Sequence, residues 1–227
     1  MSSSSAATKL ALFDLDGTLI DSEIGIVASI EYALTKLGAA VPPRAELRKW
    51  IGPPLRAMFP LVLDGDAEKV ERAVALYRER FIEIGWREYA VYPGIAEAVE
   101  TLARHGVKLA VVTSKPDLYA GRIVASLPFG AHFENVYAVG SGSAHSEKAS
   151  LIARALEEFG VAPEFTAMIG DRHFDIEGAL ANRVRAIGVS WGFGTHAELA
   201  AAGADAIVES PDRLVPLLAA VTGALPG

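Results

Sequence analysis

Short apolar runs alternate along most of the chain with longer stretches that have one apolar face. Runs of four to eight apolar residues are typical of buried strands, and stretches with apolar residues every three to four positions are typical of helices. The alternation predicts βαβ units, and therefore an α/β, Rossmann-like fold around a parallel sheet. The predicted strands are residues 9–14, 107–113, 135–139, 167–170, 186–189 and 206–208.

The alternation stops after the first predicted strand. Residues 22–37 and 67–84 show helical periodicity, and no convincing strand pattern lies near them. Residues 21–91 are therefore predicted to form a small α-helical insertion. Residues 1–20 and 92–227 are predicted to form the α/β core domain.

Composition narrows the class of function. The 227 residues include 21 basic and 28 acidic side chains, and this net charge of −7 argues against a nucleic-acid-binding protein. The absence of cysteine excludes disulfides, thiolate catalysis and cysteine-ligated zinc. No apolar stretch reaches the roughly 20 residues of a membrane span, and residues 1–5 are interpreted as a frayed tail rather than a signal peptide. We therefore expect a cytoplasmic protein with no nucleic-acid or membrane partner.

Acidic and hydroxyl side chains follow three of the predicted strands. Asp14 and Asp16 end the first strand, Thr113 ends the second, and Asp171 and Asp175 follow the strand at 167–170. The carboxyl ends of parallel strands share one edge of the sheet, where ligands usually bind. The sequence thus predicts that these side chains converge at one site.

Four carboxylates at one site repel one another strongly. Two like charges 4 Å apart cost about 4 kcal/mol at an effective dielectric constant of about 20. Either some of the carboxyl groups are protonated or a cation lies among them. Oxygen ligands without histidine or cysteine favour Mg²⁺. A turn role for Asp14 and Asp16 is a weaker interpretation, because asparagine or glycine would form a turn without the repulsion.

The same residues resemble the motifs of a known family. Residues 13–18 (FDLDGT), Thr113, a downstream lysine and residues 170–175 (GDRHFD) resemble the four motifs of the haloacid dehalogenase-like phosphatases. The helical insertion resembles the small helical cap of that family, and residues 186–194 resemble its phosphoglycolate phosphatase-like members. The resemblance covers essentially the whole chain. It implies a Mg²⁺-dependent phosphatase that hydrolyses a small phosphomonoester.

The resemblance also implies catalytic roles. Asp14 would attack phosphorus to form an aspartyl-phosphate, and Asp16 would protonate the leaving group and then activate water. Thr113 would hydrogen-bond the phosphoryl oxygens. Lys148 would offset the charge of Asp14 and of the phosphate, although Lys115 lies nearer a predicted strand end and is the alternative.

Metal ligands are implied in the same way. Asp14, Asp171 and the backbone carbonyl of Asp16 would bind Mg²⁺, and Asp175 would either ligate the ion or support the other ligands. From the residues alone, Asp171 could equally be a helix N-cap. His173 is interpreted as an exposed residue at the start of a helix.

Contacts with the substrate are predicted less directly. Ser114 is a candidate because it follows Thr113. Arg48, Lys49 and Trp50 are candidates because specificity should lie in the cap. The same three side chains could instead cover the small core of the cap.

Several functions stay open at this stage. A phosphomutase of the same superfamily would use the same Asp14 and Asp16, but Thr18 resembles the phosphatase pattern more closely. A 5'-nucleotidase-type phosphatase is a second alternative, and a catalytically silent binding protein would be expected to lack a motif residue. Phosphoglycolate is the substrate that the resemblance implies, while nucleotides and sugar phosphates are also compatible. The oligomeric state, monomer or homodimer, is not encoded in any pattern found.

Overall fold

The computed structural model describes residues 9–140 and 148–221. The expectation for residues 1–5, and the part of the lysine motif at residues 146 and 147, lie outside the described residues. The strands are β1 (Lys9–Phe13), β2 (Ile20–Asp21), β3 (Ala90–Val91), β4 (Val107–Pro116), β5 (Phe133–Val139), β6 (Thr166–Gly170), β7 (Arg185–Val189) and β8 (Ala206–Val208). The α-helices are α1 (Glu23–Lys36), α2 (Arg44–Leu47), α3 (Leu55–Met58), α4 (Ala67–Glu83), α5 (Ile95–Arg104), α6 (Asp117–Ser126), α7 (Lys148–Phe159), α8 (His173–Ala181), α9 (His196–Ala201) and α10 (Leu214–Val221).

Six strands form one parallel sheet in the order β5-β4-β1-β6-β7-β8. Helices α6, α7, α8 and α9 lie in the chain between successive strands from β4 to β8, as parallel pairing requires. The predicted α/β class with a Rossmann-like parallel sheet is confirmed. The strand bounds differ in detail, because β1 ends at Phe13, one residue before the predicted end, and β4 continues to Pro116.

One face of the sheet carries the core that positions the site. Leu12 of β1 and Val112 of β4 pack in a buried cluster with Ile152 of α7 and Ile176 of α8. Side chains alternate between the two faces of a strand, so the position that follows Leu12 on this face is Asp14. Helices α7 and α8 therefore cover the same face of the sheet that Asp14 continues.

The chain divides into two compact units, residues 1–19 with 91–227 and residues 20–90. In the second unit, which we call the helical unit, α1 packs against α4. The rings of Tyr77 and Phe81 stack with their centroids 5.3 Å apart, and Asp66 caps α4 by accepting hydrogen bonds from the backbone of Glu68 and Lys69. That this unit serves as a substrate cap stays a prediction. None of the described helices is both long enough and apolar enough to cross a membrane.

Candidate active site

The site begins where β1 and its two neighbours end. β4 and β6 flank β1 in the sheet, and the backbone N–H of Asp14 donates to the carbonyl oxygen of Ile169 at 2.9 Å, which extends the β1–β6 pairing by one bond. This register brings Asp14 next to the loop that follows β6. Asp14, Asp171 and Asp175 are all buried, and each offers a carboxylate oxygen within 4.8 Å of the others.

Lys148, the first residue of α7, lies among these carboxylates. Its Nζ is 2.9 Å from Asp14 Oδ1 and 2.8 Å from Asp175 Oδ1, and it donates a hydrogen bond to the carbonyl oxygen of Val112 at 3.0 Å. Burial by itself would lower the pKa of Lys148, but the two carboxylates outweigh that effect and raise it. Lys148 is therefore charged and neutralises part of the acidic cluster.

One ammonium group does not balance the three carboxylates of the cluster. Burial raises the pKa of Asp14 to about 6, although Lys148 opposes the shift. Burial, together with Asp175 and Asp14, also raises the pKa of Asp171 well above its usual value. In the absence of a further cation, Asp14 and Asp171 are thus harder to ionise than a carboxyl group in water.

The donor set fits Mg²⁺. Asp14 Oδ1 and Asp175 Oδ1 are buried, and among the described residues their polar partner is the ammonium group of Lys148. Three carboxylates without a cysteine or histidine ligand form the hard oxygen set that Mg²⁺ prefers. A divalent cation there would also offset the surplus negative charge described above.

Asp16 has a lysine of its own. Lys115 Nζ donates to Asp16 Oδ1 at 2.9 Å and to Oδ2 at 2.8 Å, and the lysine side chain is only 5% exposed. The backbone N–H of Lys115 donates to Thr113 Oγ1 at 3.2 Å. The two lysines that the sequence offered as alternatives therefore occupy different places, Lys148 against Asp14 and Lys115 against Asp16.

The remaining predicted residues differ in their surroundings. Thr113 is buried, whereas Ser114 is exposed. In the helical unit, Trp50 is buried, and its ring lies 6.0 Å from that of Phe59 in an edge-to-face contact. A contact of Trp50 with the substrate stays a prediction. Arg48 pairs with Glu23 at 2.9 Å, and Lys49 pairs with Glu46 at 2.8 Å on the surface.

Comparison with known proteins identifies the family. Residues 11–189 match a family model described as haloacid dehalogenase-like hydrolase. The chain belongs to the haloacid dehalogenase-like hydrolases. Among solved structures, a predicted phosphatase from Clostridium acetobutylicum superposes on this hydrolase with a TM-score of 0.86, at 36% identity, covering 93% of this chain and 98% of that one.

The relatives of this hydrolase are named for different activities. A 5'-nucleotidase of Pseudomonas aeruginosa is 42% identical over 190 residues, which cover 84% of this chain and 86% of that protein. The tyrosine-protein kinase PtkA of Mycobacterium tuberculosis is 36% identical over 197 residues, 85% and 66% of the two chains. A phosphoglycolate phosphatase of Pseudomonas putida is 26% identical over 217 residues, 92% and 79%. The predicted family is confirmed, and the protein is a phosphatase, a hydrolase of phosphoric monoesters.

A loop after β7, whose role the sequence analysis did not assign, completes the surroundings of Asp171 in this hydrolase. The backbone N–H of Phe193 donates to Asp171 Oδ2 at 2.7 Å, and the indole N–H of Trp191 donates to the carbonyl oxygen of Thr18 at 3.1 Å. Gly192 packs so closely on Asp171 that a β-carbon would clash with the carboxylate. The Gly-x-Gly pattern at 192–194 was the sequence signal for this contact.

Gly17 offers a test of how tightly Asp171 is held. Its φ of 83° lies in the left-handed region, and a β-carbon there would clash with the Asp171 carboxylate. We expect Gly17→Ala to displace that carboxylate and to lower phosphate release by roughly 10²-fold, the cost typical of a misplacement of about 1 Å. Release of nitrophenolate from nitrophenyl phosphate measures the loss.

Gly106 provides the matched control for Gly17. Its φ is 73°, and an added β-carbon would have no heavy atom within 4 Å. Both alanine variants should lose about 1–2 kcal/mol of unfolding free energy from backbone strain, but Gly106→Ala should keep its activity. Equal activity of the two variants would show that the contact between Gly17 and Asp171 is unimportant.

Proposed function

We propose that this hydrolase is a Mg²⁺-dependent phosphatase that cleaves a small phosphomonoester through an aspartyl-phosphate (an acyl phosphate) on Asp14. The observation that carries the proposal is the buried cluster of Asp14, Asp171 and Asp175, whose oxygens lie within 4.8 Å of one another around a single lysine. Asp16 forms an ion pair with Lys115. The two aspartates that follow β1 thus have different environments, as two different chemical roles require.

Asp14 is proposed as the nucleophile. One of its carboxylate oxygens forms a bond to phosphorus while the bond between phosphorus and the ester oxygen of the substrate breaks. Lys148 favours the ionised form of Asp14 that this attack needs. Thr113, a buried residue of β4, is proposed to donate a hydrogen bond to a phosphoryl oxygen.

Asp16 is proposed to transfer protons in both half-reactions. In the first, its protonated carboxyl group gives a proton to the leaving alkoxide. In the second, its carboxylate takes a proton from the water that attacks phosphorus, so that Asp14 is regenerated and inorganic phosphate leaves. The ion pair with Lys115 is the arrangement of the deprotonated form, which is the form that accepts the proton of water.

The residues proposed to hold Mg²⁺ are Asp14, Asp171, Asp175 and the backbone carbonyl of Asp16. When bound, Mg²⁺ would supply positive charge to the phosphoryl oxygens and allow Asp14 to stay ionised. The side chain of Asp16 faces Lys115 instead, which supports a backbone rather than a carboxylate contribution from this residue.

Metal dependence is the direct test of this proposal. Treatment with excess EDTA followed by desalting should reduce hydrolysis of nitrophenyl phosphate to the background rate, and Mg²⁺ should restore it. Ca²⁺ should support the reaction poorly, because it prefers more ligands and looser geometry. Thermal melts of the treated protein provide the control for folding, and full activity in excess chelator would contradict the proposal.

Among substrates, we propose a nucleoside 5'-monophosphate ahead of phosphoglycolate. The 5'-nucleotidase relative is 42% identical to this chain, whereas the phosphoglycolate phosphatase relative is 26% identical. Comparing kcat/KM across nucleoside monophosphates, phosphoglycolate and sugar phosphates ranks these classes. Incubation of a tyrosine-containing peptide with ATP tests the activity named for the kinase relative, and an isomerised sugar phosphate without phosphate release would indicate a phosphomutase.

A further inference from the structure

The segment between Asp171 and Asp175 is held by a glutamate from another helix. Glu198 Oε1 of α9 accepts hydrogen bonds from Arg172 Nε at 2.8 Å and from the backbone N–H of His173 at 3.0 Å. The same oxygen lies 2.8 Å from His173 Nδ1. His173, interpreted from the sequence as an exposed helix-start residue, thus contacts Glu198 and has a side chain that is 33% exposed.

The carboxylate of Glu198 bonds outside its own helix. Thr195 caps α9, and its hydroxyl oxygen accepts the backbone N–H of Glu198 at 3.1 Å. A glutamate at this third position of a helix often returns to the N-cap backbone. Here the side chain of Glu198 contacts Arg172 and His173 instead.

The contacts of Glu198 join charged groups that are partly buried. The side chains of Glu198 and Arg172 are 24% and 15% exposed. Burial would raise the pKa of Glu198, but the hydrogen bonds from His173 and Arg172 outweigh it and lower the pKa to about 2. Charge-assisted hydrogen bonds are stronger than those between neutral groups. The hydrogen bonds of Glu198 can therefore fix the backbone at residues 172 and 173.

That backbone lies between two of the clustered carboxylates. Arg172 directly follows Asp171, and the N–H of Arg172 donates to Asp175 Oδ2 at 3.1 Å. Phe193, in the loop that leads to α9, donates to Asp171 Oδ2. Glu198 and Phe193 therefore restrain the same turn. Glu198 binds the backbone N–H of His173, and Phe193 binds the carboxylate of Asp171.

We propose that Glu198 is a positioning residue that sets the separation of Asp171 and Asp175 and thereby the affinity of their cluster for a divalent cation. The inference rests on the proposed function, because it assumes that the cluster binds a metal. Partners that orient ligating carboxylates typically contribute a factor of 10–100 to metal affinity. Glu198 itself contacts neither substrate nor metal in this proposal.

Direct binding of Mn²⁺ to the chelator-treated full-length protein tests the role, with free Mn²⁺ measured by electron paramagnetic resonance. Glu198→Ala should raise the Kd for Mn²⁺ by roughly 10–100-fold. Glu198→Gln should raise the Kd less, because its amide oxygen can still accept the N–H of His173. Glu97→Ala is the matched control, since Glu97 is also the third residue of a helix, but it is exposed and its helix α5 carries none of the clustered carboxylates.

Thermal melts in chelator separate positioning from folding. If Glu198→Ala is unfolded, the Kd of Glu198→Gln decides the question. If the wild-type protein binds Mn²⁺ and a folded Glu198 variant binds it with the same Kd, the positioning role of Glu198 is wrong. The proposed metal dependence would not be affected by that result. Failure of the wild-type protein to bind Mn²⁺ would instead overturn the proposed metal dependence, and the role of Glu198 with it.

Discussion

Replacing Asp14 with asparagine is expected to reduce phosphate release to the background rate for every substrate. The amide of asparagine has almost the same shape as the carboxylate but does not act as a nucleophile, so no aspartyl-phosphate can form on the chain. Asp14 Oδ1 also lies 2.9 Å from Lys148 Nζ. In the Asp14→Asn variant, Lys148 would keep Asp175 as its carboxylate partner. The measurement is to mix the protein with substrate that is labelled in its phosphoryl group and to quench the reaction with acid. We expect labelled protein from the wild type and none from Asp14→Asn.

Asp212→Asn is a suitable control for this experiment. Asp212 has a side chain that is 76% exposed, so its replacement tests the effect of losing one negative charge at the surface. It should behave as the wild type in both assays. Recovery of label on the Asp14→Asn protein would show that another residue is the nucleophile.

Replacing Asp16 with asparagine is expected to produce a different defect. The nucleophile is kept and proton transfer is lost, a contribution of typically ~10²–10⁴-fold. The first step should be less affected with nitrophenyl phosphate, because nitrophenolate leaves without a proton. Hydrolysis of the aspartyl-phosphate should still be slow, so the phosphorylated protein should accumulate and be trapped by acid. Turnover at the wild-type rate would exclude Asp16 from proton transfer.

The ion pair with Lys115 complicates Asp16→Asn and requires its own control. Lys115 is buried, and the substitution removes the carboxylate that faces its ammonium group. Breaking a buried pair by removing one partner typically costs ~3–5 kcal/mol, so thermal melts must accompany the kinetics. Lys115→Met removes the same ion pair but keeps Asp16. If this variant accumulates no phosphorylated protein, the accumulation in Asp16→Asn is due to lost proton transfer and not to the lost pair.

Patterns within the sequence were enough to predict the class of the fold and the acidic residues of the site. A strand that is buried on both faces has a continuous apolar run, and a helix that packs on one side has an apolar stripe; both signals depend on fewer than about 20 neighbouring residues. The end of β1 could therefore be located within one residue of its observed position. Once the strands were known to be parallel, Asp14 and Asp171 had to follow strands at one edge of the sheet, and the repulsion between carboxylates indicated a cation.

The residues of distant elements that contact these aspartates could be identified only in the folded protein. Lys148 and Lys115 were both possible partners of Asp14 in the sequence. The docking of α7 on the sheet face that carries Leu12 and Val112 places Lys148 there, and Lys115 faces Asp16 instead. No local pattern encodes how a helix is rotated and shifted on a sheet, because that depends on the packing of the whole buried cluster.

The same reason explains the residues that the sequence left ambiguous or unnoticed. Trp50 could have been a substrate contact or a core residue, and its burial against Phe59 is a property of the folded helical unit. Glu198 reads in the sequence as an ordinary helix-start glutamate, yet it bonds His173, 25 residues earlier in the chain. Periodicity and spacing report the conformation of a segment, whereas contacts between segments depend on the shapes of all the side chains packed between them, and only the folded structure contains that information.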